Sequence, residues 1–345
     1  MINPKLAATV LGLLACSPLA IAFNPREYAK HVATCKAINR SRSPSPETVD
    51  IEIRYVDVDA AAGAEKKSMI MVHGWPSLWS SWARQIDEFK NDYRVVVPDL
   101  RGFGGSTHPG DARASGDMGD MVGDLVCVLE RARIEKALCM GHDWGAQVCY
   151  EAARMRPDMF VAVVGAVVPY IPAAGPFVPV KHLVPVFPRL AYQIYFDAES
   201  DAAVAELDRD IRRTVRATLR TVASPPPDAY LRSTDSFLDA WNEVDEIPPV
   251  PFFSAEEEDY FVEQFSLQGF KPTLQFYTTE NRRASRDLAH RQGNFTIPVP
   301  ALAVYPLDDP VADWKAAADL LKTADYVPEL TTKVRPRFCA SLRRH

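Results

Sequence analysis

The 345-residue sequence predicts an α/β protein built on a mostly parallel sheet, and three observations lead there. Short apolar runs that fit buried strands alternate with stretches of helical periodicity. One of those runs turns through a single glycine-flanked acid directly into a helix. The alternation then breaks once, after Pro169, for a long stretch rich in proline, aromatic residues and acidic helical segments. Strands and helices in alternation imply parallel neighbours joined by right-handed crossovers, with ligands expected beyond the carboxyl ends of the strands.

Composition sets the outer bounds. At 47% hydrophobic and 24% charged the chain can bury a large core, as one sizeable domain with an insertion. A net charge of −6 argues against a nucleic-acid partner. No internal repeat is visible, and no segment after the N-terminus is long and apolar enough to cross a membrane. The first 22 residues carry one lysine, an apolar run from Leu6 and a small-residue ending at Ala20-Ile21-Ala22. That is the shape of a secretory signal peptide cleaved before Phe23, which places the protein outside the cytoplasm; a retained membrane anchor is the alternative. Leu13-Leu14-Ala15-Cys16 also loosely resembles a bacterial lipobox. Cleavage leaves Cys35, Cys127, Cys139, Cys149 and Cys339, an odd set without regular spacing, so no disulfide framework is expected. Cys127, Cys139 and Cys149 lie in runs that look buried and read as small hydrophobes.

In chain order, Phe23 to Glu47 is polar and reads as a leader over the surface, with order beginning at Val49. Val49 to Val58 alternates as a half-buried antiparallel strand does, Ala60 to Lys67 is a turn, and Ser68 to Val72 is a buried strand. A strand and a Gly-rich loop, Arg94 to Ser106, precede a helical pattern from Met118 to Ala132. The glycines there invite a phosphate-cradle reading, which the absence of G-x-x-x-x-G-K-[ST] weakens. Ala137 to Met140 and Val161 to Val168 are further buried strands, followed by an inserted helical lid from 170 to 294. The core resumes at 295, with strands at Val299 to Val304 and Leu330 to Val334.

The organising stretch is Gly141-His142-Asp143-Trp144-Gly145. A strand-to-helix turn this tight crowds its central residue against both neighbours, and small residues two positions either side relieve that. Asp143 as a mere helix N-cap is the plainer reading. The stretch resembles the nucleophile elbow of α/β-hydrolases with an aspartate where esterases carry serine. A carboxylate there suits attack on saturated carbon, because the alkyl ester formed can later be cleaved by water at its carbonyl.

Four further stretches resemble the epoxide hydrolases and haloalkane dehalogenases of that superfamily. His73-Gly74-Trp75-Pro76 is similar to their H-G-x-P turn, which implies that the amides of Trp75 and Trp144 form an oxyanion hole. Asp99-Leu100-Arg101-Gly102-Phe103-Gly104-Gly105-Ser106 is similar to their D-x-R-G-x-G-x-S loop. Tyr192-Gln193-Ile194-Tyr195-Phe196 and the stretch from Gly269 to Tyr277 resemble the Y-Q-x-Y-F and G-F-x-x-x-L-x-x-Y of epoxide hydrolases, implying that Tyr192 and Tyr277 hold the epoxide oxygen. Asp309 falls where the family places its charge-relay acid, with Asp308 beside it as competitor.

The resemblance implies an enzyme that opens a small apolar epoxide to a diol through an ester on Asp143, with no metal or organic cofactor. It runs out after the last strand. The family's G-x-H-W motif is absent, and the chain reads on from Arg335 as an arginine-rich tail to His345 without the expected final helix, as though that ending had been replaced by a reading-frame or splicing change. His73 and His142 belong to backbone motifs, and His31, His108, His182 and His290 read as surface positions. A haloalkane dehalogenase or a catalytically degenerate ligand-binding protein are the alternatives.

Overall fold

The computed structural model describes residues 23–40, 45–58 and 67–335. The expected signal peptide, most of the turn before Lys67 and the tail with Cys339 and His345 lie outside the described residues. Eight strands form one sheet: β1 (Lys30–Asn39), β2 (Glu47–Val58), β3 (Lys67–Val72), β4 (Tyr93–Pro98), β5 (Ala137–His142), β6 (Phe160–Ala166), β7 (Ala301–Pro306) and β8 (Leu330–Arg335), in the order β1-β2-β4-β3-β5-β6-β7-β8. Pairing is antiparallel from β1 to β2 and β2 to β4, and parallel from there onward. The parallel strands read as continuous apolar runs because both faces are covered: Met69, Ile70, Met71 and Val72 of β3 are all fully buried.

The helices α1 (Ala83–Phe89), α2 (Met118–Arg131) and α3 (Trp144–Met155) cover that sheet. Between β6 and β7 the chain leaves it for α4 (Tyr192–Ala198), α5 (Ser200–Arg209), α6 (Ile211–Thr218), α7 (Ala255–Phe265) and α8 (Thr279–Gln292), and α9 (Trp314–Leu320) follows β7. Helix α2 starts where Asp117 and Asp120 form a reciprocal capping box, each carboxylate accepting the other's backbone N–H at 3.0 and 3.2 Å. Its Met121, Leu125, Val128 and Leu129 are buried, the spacing of one helical face.

Two expectations are corrected here. Residues 30–39 are no surface leader but a ten-residue strand paired with β2 along its whole length. Its inward positions are Ala33, Cys35 and Ala37, small residues that carry little hydrophobic signal yet are almost completely buried. The strand then continues into Arg40, whose guanidinium grips Asp120 at 2.6 and 3.2 Å. Nor are the cysteines mere hydrophobes. Cys35 bridges to Cys127, tying β1 to α2, and Cys139 bridges to Cys149, tying β5 to α3. The first pair is 92 positions apart in sequence, so spacing gave no hint of it. His108 is half-buried rather than fully at the surface: burial pushes its imidazole down to about 4, and Nδ1 lies 2.8 Å from the Gly110 carbonyl.

Candidate active site

The turn from β5 to α3 holds Asp143 at φ +56°, a left-handed conformation uncommon for a residue with a side chain. The surroundings enforce it. A Cβ at Gly141 would meet the Gly145 carbonyl oxygen at 2.1 Å, and one at Gly145 would meet the Val72 carbonyl at 2.1 Å, so strand, turn and helix close only with glycine at both places. Asp143 occupies the N-cap position of α3, but its side chain makes no capping hydrogen bond, so capping does not account for the carboxylate. It accepts the backbone N–H of Trp75 at 2.9 Å instead, across the cleft from the turn after β3. Gly74 makes that approach possible, since a Cβ there would lie 2.3 Å from Asp143 Oδ1.

The HGWP turn is fixed in its own right. His73 is fully buried, its Nδ1 donating to the Gly74 carbonyl at 2.9 Å and its Nε2 accepting from the Leu100 amide at 3.0 Å. Burial pushes this imidazole down to about 4, so it stays neutral. Trp75 turns its indole toward Thr273 at 3.0 Å, and the Trp75–Pro76 peptide is cis.

Asp143 opens onto a cavity of about 410 Å³. Its floor is the strand ends, with Trp75, His142, Asp143 and Trp144. Its wall is apolar and comes largely from the segment between β6 and β7: Val180, Leu183, Phe187, Leu219, Val222 and Phe237. Tyr192, first residue of α4, lines it as well, whereas Tyr277 stands one layer back, edge-on to Tyr192, Trp75 and Trp144 at centroid distances of 5.7, 5.5 and 5.7 Å. Asp309, in the loop after β7, also lines the cavity, with Oδ1 accepting the Val311 amide at 2.8 Å. Its competitor Asp308 is exposed.

The electrostatics set these groups apart. Burial pushes the Asp143 carboxyl up to about 6; the Trp75 and Trp144 amides hold it back from going higher, and the charge of Asp309 raises it. Burial likewise raises Asp309, offset by the hydrogen bond from the Val311 amide. Tyr192 is pushed up to about 12, by burial first and then by the Asp143 charge; burial and the neighbouring Tyr192 and Asp143 carry Tyr277 well above the ordinary phenol. Both phenols therefore keep their protons throughout the neutral range. His142, which sequence reading assigned to the backbone motif alone, is the one histidine lining the cavity among the described residues, and burial lowers it to about 4.

Two cavity residues receive no role from the sequence: Gln193, the fixed glutamine of the Y-Q-x-Y-F stretch, and Arg282, in the polar run Asn281-Arg282-Arg283. No cluster of three or more metal-ligating side chains occurs among the described residues.

Comparison with known proteins agrees with this geometry. The α/β-hydrolase fold family matches residues 67–336. Epoxide hydrolase A of Mycobacterium tuberculosis (strain ATCC 25618 / H37Rv) is 32% identical over 278 residues, 78% of this chain and 84% of that protein. Epoxide hydrolase B of the same strain is 29% identical over 290 residues, 72% of this chain and 79% of its own. The crystal structure of epoxide hydrolase A from Mycobacterium thermoresistibile superposes with a TM-score of 0.66 at 29% identity, covering 85% of this chain and 91% of that one. With strand order, glycine-locked aspartate and these matches together, the chain belongs to the α/β-hydrolase fold family and is an epoxide hydrolase-like enzyme of it.

Proposed function

We propose that the protein opens a small apolar epoxide by attack of Asp143 on a ring carbon, forming an ester that water then cleaves to the diol. The observation that carries this reading is the Asp143 carboxylate held by the Trp75 amide on the floor of an apolar cavity that Tyr192 lines. Oδ1 is the held oxygen, which leaves Oδ2 as nucleophile. As the Oδ2–carbon bond forms, the ring C–O bond breaks and its electron pair passes to the epoxide oxygen, which takes a proton from a phenol. Tyr192 and Tyr277 supply the O–H donors, and their raised pKa values keep those protons in place until the alkoxide, a far stronger base, develops. In the second step water adds to the ester carbonyl, charge develops on Oδ1, and the amides of Trp75 and Trp144 stabilise it. Collapse returns the carboxylate and releases the second hydroxyl.

That second step needs a base. Asp309 suits the orienting role in a relay to histidine. The family's G-x-H-W histidine is missing from the sequence, and His142, lowered to about 4, is a poor proton acceptor. The ester is therefore the species expected to accumulate. Two cystines in the core suit the extracytoplasmic location proposed from the N-terminus, because such bridges persist in oxidising compartments.

Single-turnover ester formation, followed by intact mass, tests the reading. Tyr277→Phe is expected to slow it by at least about tenfold, as loss of a general acid does; an unchanged rate removes Tyr277 from the chemistry. The rate should also rise with pH through about 6, since only ionised Asp143 attacks. Asp309→Asn removes the like charge that raises Asp143, and should move that midpoint downward. A midpoint that moves up or stays put would show that the two carboxylates do not interact.

A further inference from the structure

Gln193 and Arg282 contact the acid side of the site in a polarised chain. Arg282 Nη2 donates to Gln193 Oε1 at 2.8 Å, and Gln193 Nε2 donates to the Tyr192 hydroxyl oxygen at 3.2 Å. The direction is not reversible. A guanidinium has donors only, so its partner in the amide must be the oxygen, which leaves the amide NH₂ facing Tyr192. The arginine is itself anchored: Nε donates to the Phe276 carbonyl at 2.7 Å, and the guanidinium lies 5.0 Å over the Trp144 ring and 5.8 Å over Tyr277. A phenol carries one O–H and two lone pairs. With one lone pair taken by the Gln193 N–H and the other facing the Tyr277 hydroxyl, whose bond lowers Tyr192 and raises Tyr277 as a donation from Tyr277 does, the Tyr192 proton is left for the cavity that Tyr192 lines.

We infer that Arg282 and Gln193 are a positioning pair that holds Tyr192 as a hydrogen-bond donor toward the reacting oxygen. The inference rests on the epoxide-opening reading above. The pair touches no reacting atom; it decides which way one proton points. A charge-assisted bond at one end strengthens the donor at the other, and the half-buried cation also makes proton release from Tyr192 easier.

The substitution that separates this from a packing role is Gln193→Glu. Its shape matches glutamine and it pairs with Arg282, but it offers no N–H and accepts the Tyr192 proton instead, turning the O–H out of the cavity. With full-length protein and excess styrene oxide as probe, single-turnover ester formation in Gln193→Glu should fall about tenfold or more, to the level of Tyr192→Phe. In a Tyr192→Phe background the same substitution should cost nothing further, because groups that act through one another are not additive. Gln193→Leu, which cannot turn the proton either way, should fall between, and Arg282→Lys should recover part of what Arg282→Met loses. Near-normal rates in Gln193→Glu, or equal losses in both backgrounds, overturn the positioning role while leaving the epoxide reading intact. Absence of any ester in the unsubstituted protein, or a normal rate in Tyr192→Phe, overturns the epoxide reading or the acid role of Tyr192, and the pair's role falls with it.

Discussion

Incubated with excess epoxide, the 345-residue protein is expected to gain one substrate mass on Asp143 and then stall. On the proposed mechanism attack needs only the carboxylate and the phenols, of which Asp143 and Tyr192 line the cavity and Tyr277 stands behind Tyr192, whereas ester cleavage needs an activated water. Steady turnover should fall below that of a relative carrying the G-x-H-W histidine by roughly the factor that general-base catalysis contributes, on the order of a hundred to ten thousand. Circular dichroism must first establish that the protein is folded. Asp143→Asn should then abolish the adduct, because the amide oxygen is a poor nucleophile. Sustained diol production at a normal rate would sink the stalled-ester reading and direct attention to His142 in the cavity and to His345 in the tail.

The largest effect on stability is expected at Arg101. This guanidinium is 1% exposed and forks onto Asp124, itself 2% exposed, at 2.6 and 2.7 Å, while its remaining donors reach the Ser115 and Asp120 carbonyls at 2.9 and 3.1 Å. Arg101→Met leaves the Asp124 charge buried without its partner, a change that costs about 3–5 kcal/mol. Against a typical domain stability of about 5–15 kcal/mol, that is a large share, and it should appear as a lower urea midpoint with an unchanged slope. The double change Arg101→Met with Asp124→Leu should recover much of the loss, since it removes the stranded charge. Were the single and double variants equally unstable, the cost would lie in lost packing rather than in an unpaired carboxylate.

What the sequence discloses about this molecule depends on how local each cause is. Gly141, Asp143 and Gly145 were legible because they form a short contiguous motif, and HGWP was legible for the same reason, although part of the crowding that demands glycine comes from afar: Gly145 lies against the Val72 carbonyl and Gly74 against Asp143. The parallel strands were legible because burial on both faces leaves unbroken apolar runs such as Met69 to Val72. Strand β1 was not, because Ala33, Cys35 and Ala37 sit where a neighbouring helix comes close and bulk is excluded; small residues fit that place but do not announce it. The cystines depend on proximity across the fold, which odd counting and spacing cannot register. Arg282 shows the limit most clearly. On a helical wheel it belongs to a charged run, and only the position of α8 against Trp144 and Gln193 turns it inward.

The point at which the helical segment leaves the sheet has a consequence for how such an enzyme changes over generations. β6 and β7 are adjacent parallel neighbours, and the Val163 amide donates to the Pro300 carbonyl at 3.0 Å just where the chain returns. The two strands that flank the excursion are thus held side by side by the sheet itself, so the length of the excursion weighs little on closing it. Most of the apolar cavity wall, together with both phenols, travels in that excursion, the rest coming from the segment after β7 with Val311 and Trp314; the aspartate and the Trp75 amide that grips it stay with the strand ends. On the proposed chemistry, nucleophile and proton donor thus lie on separate segments of the chain, so that exchanging the excursion would change wall and acid together above an attacking group left in place.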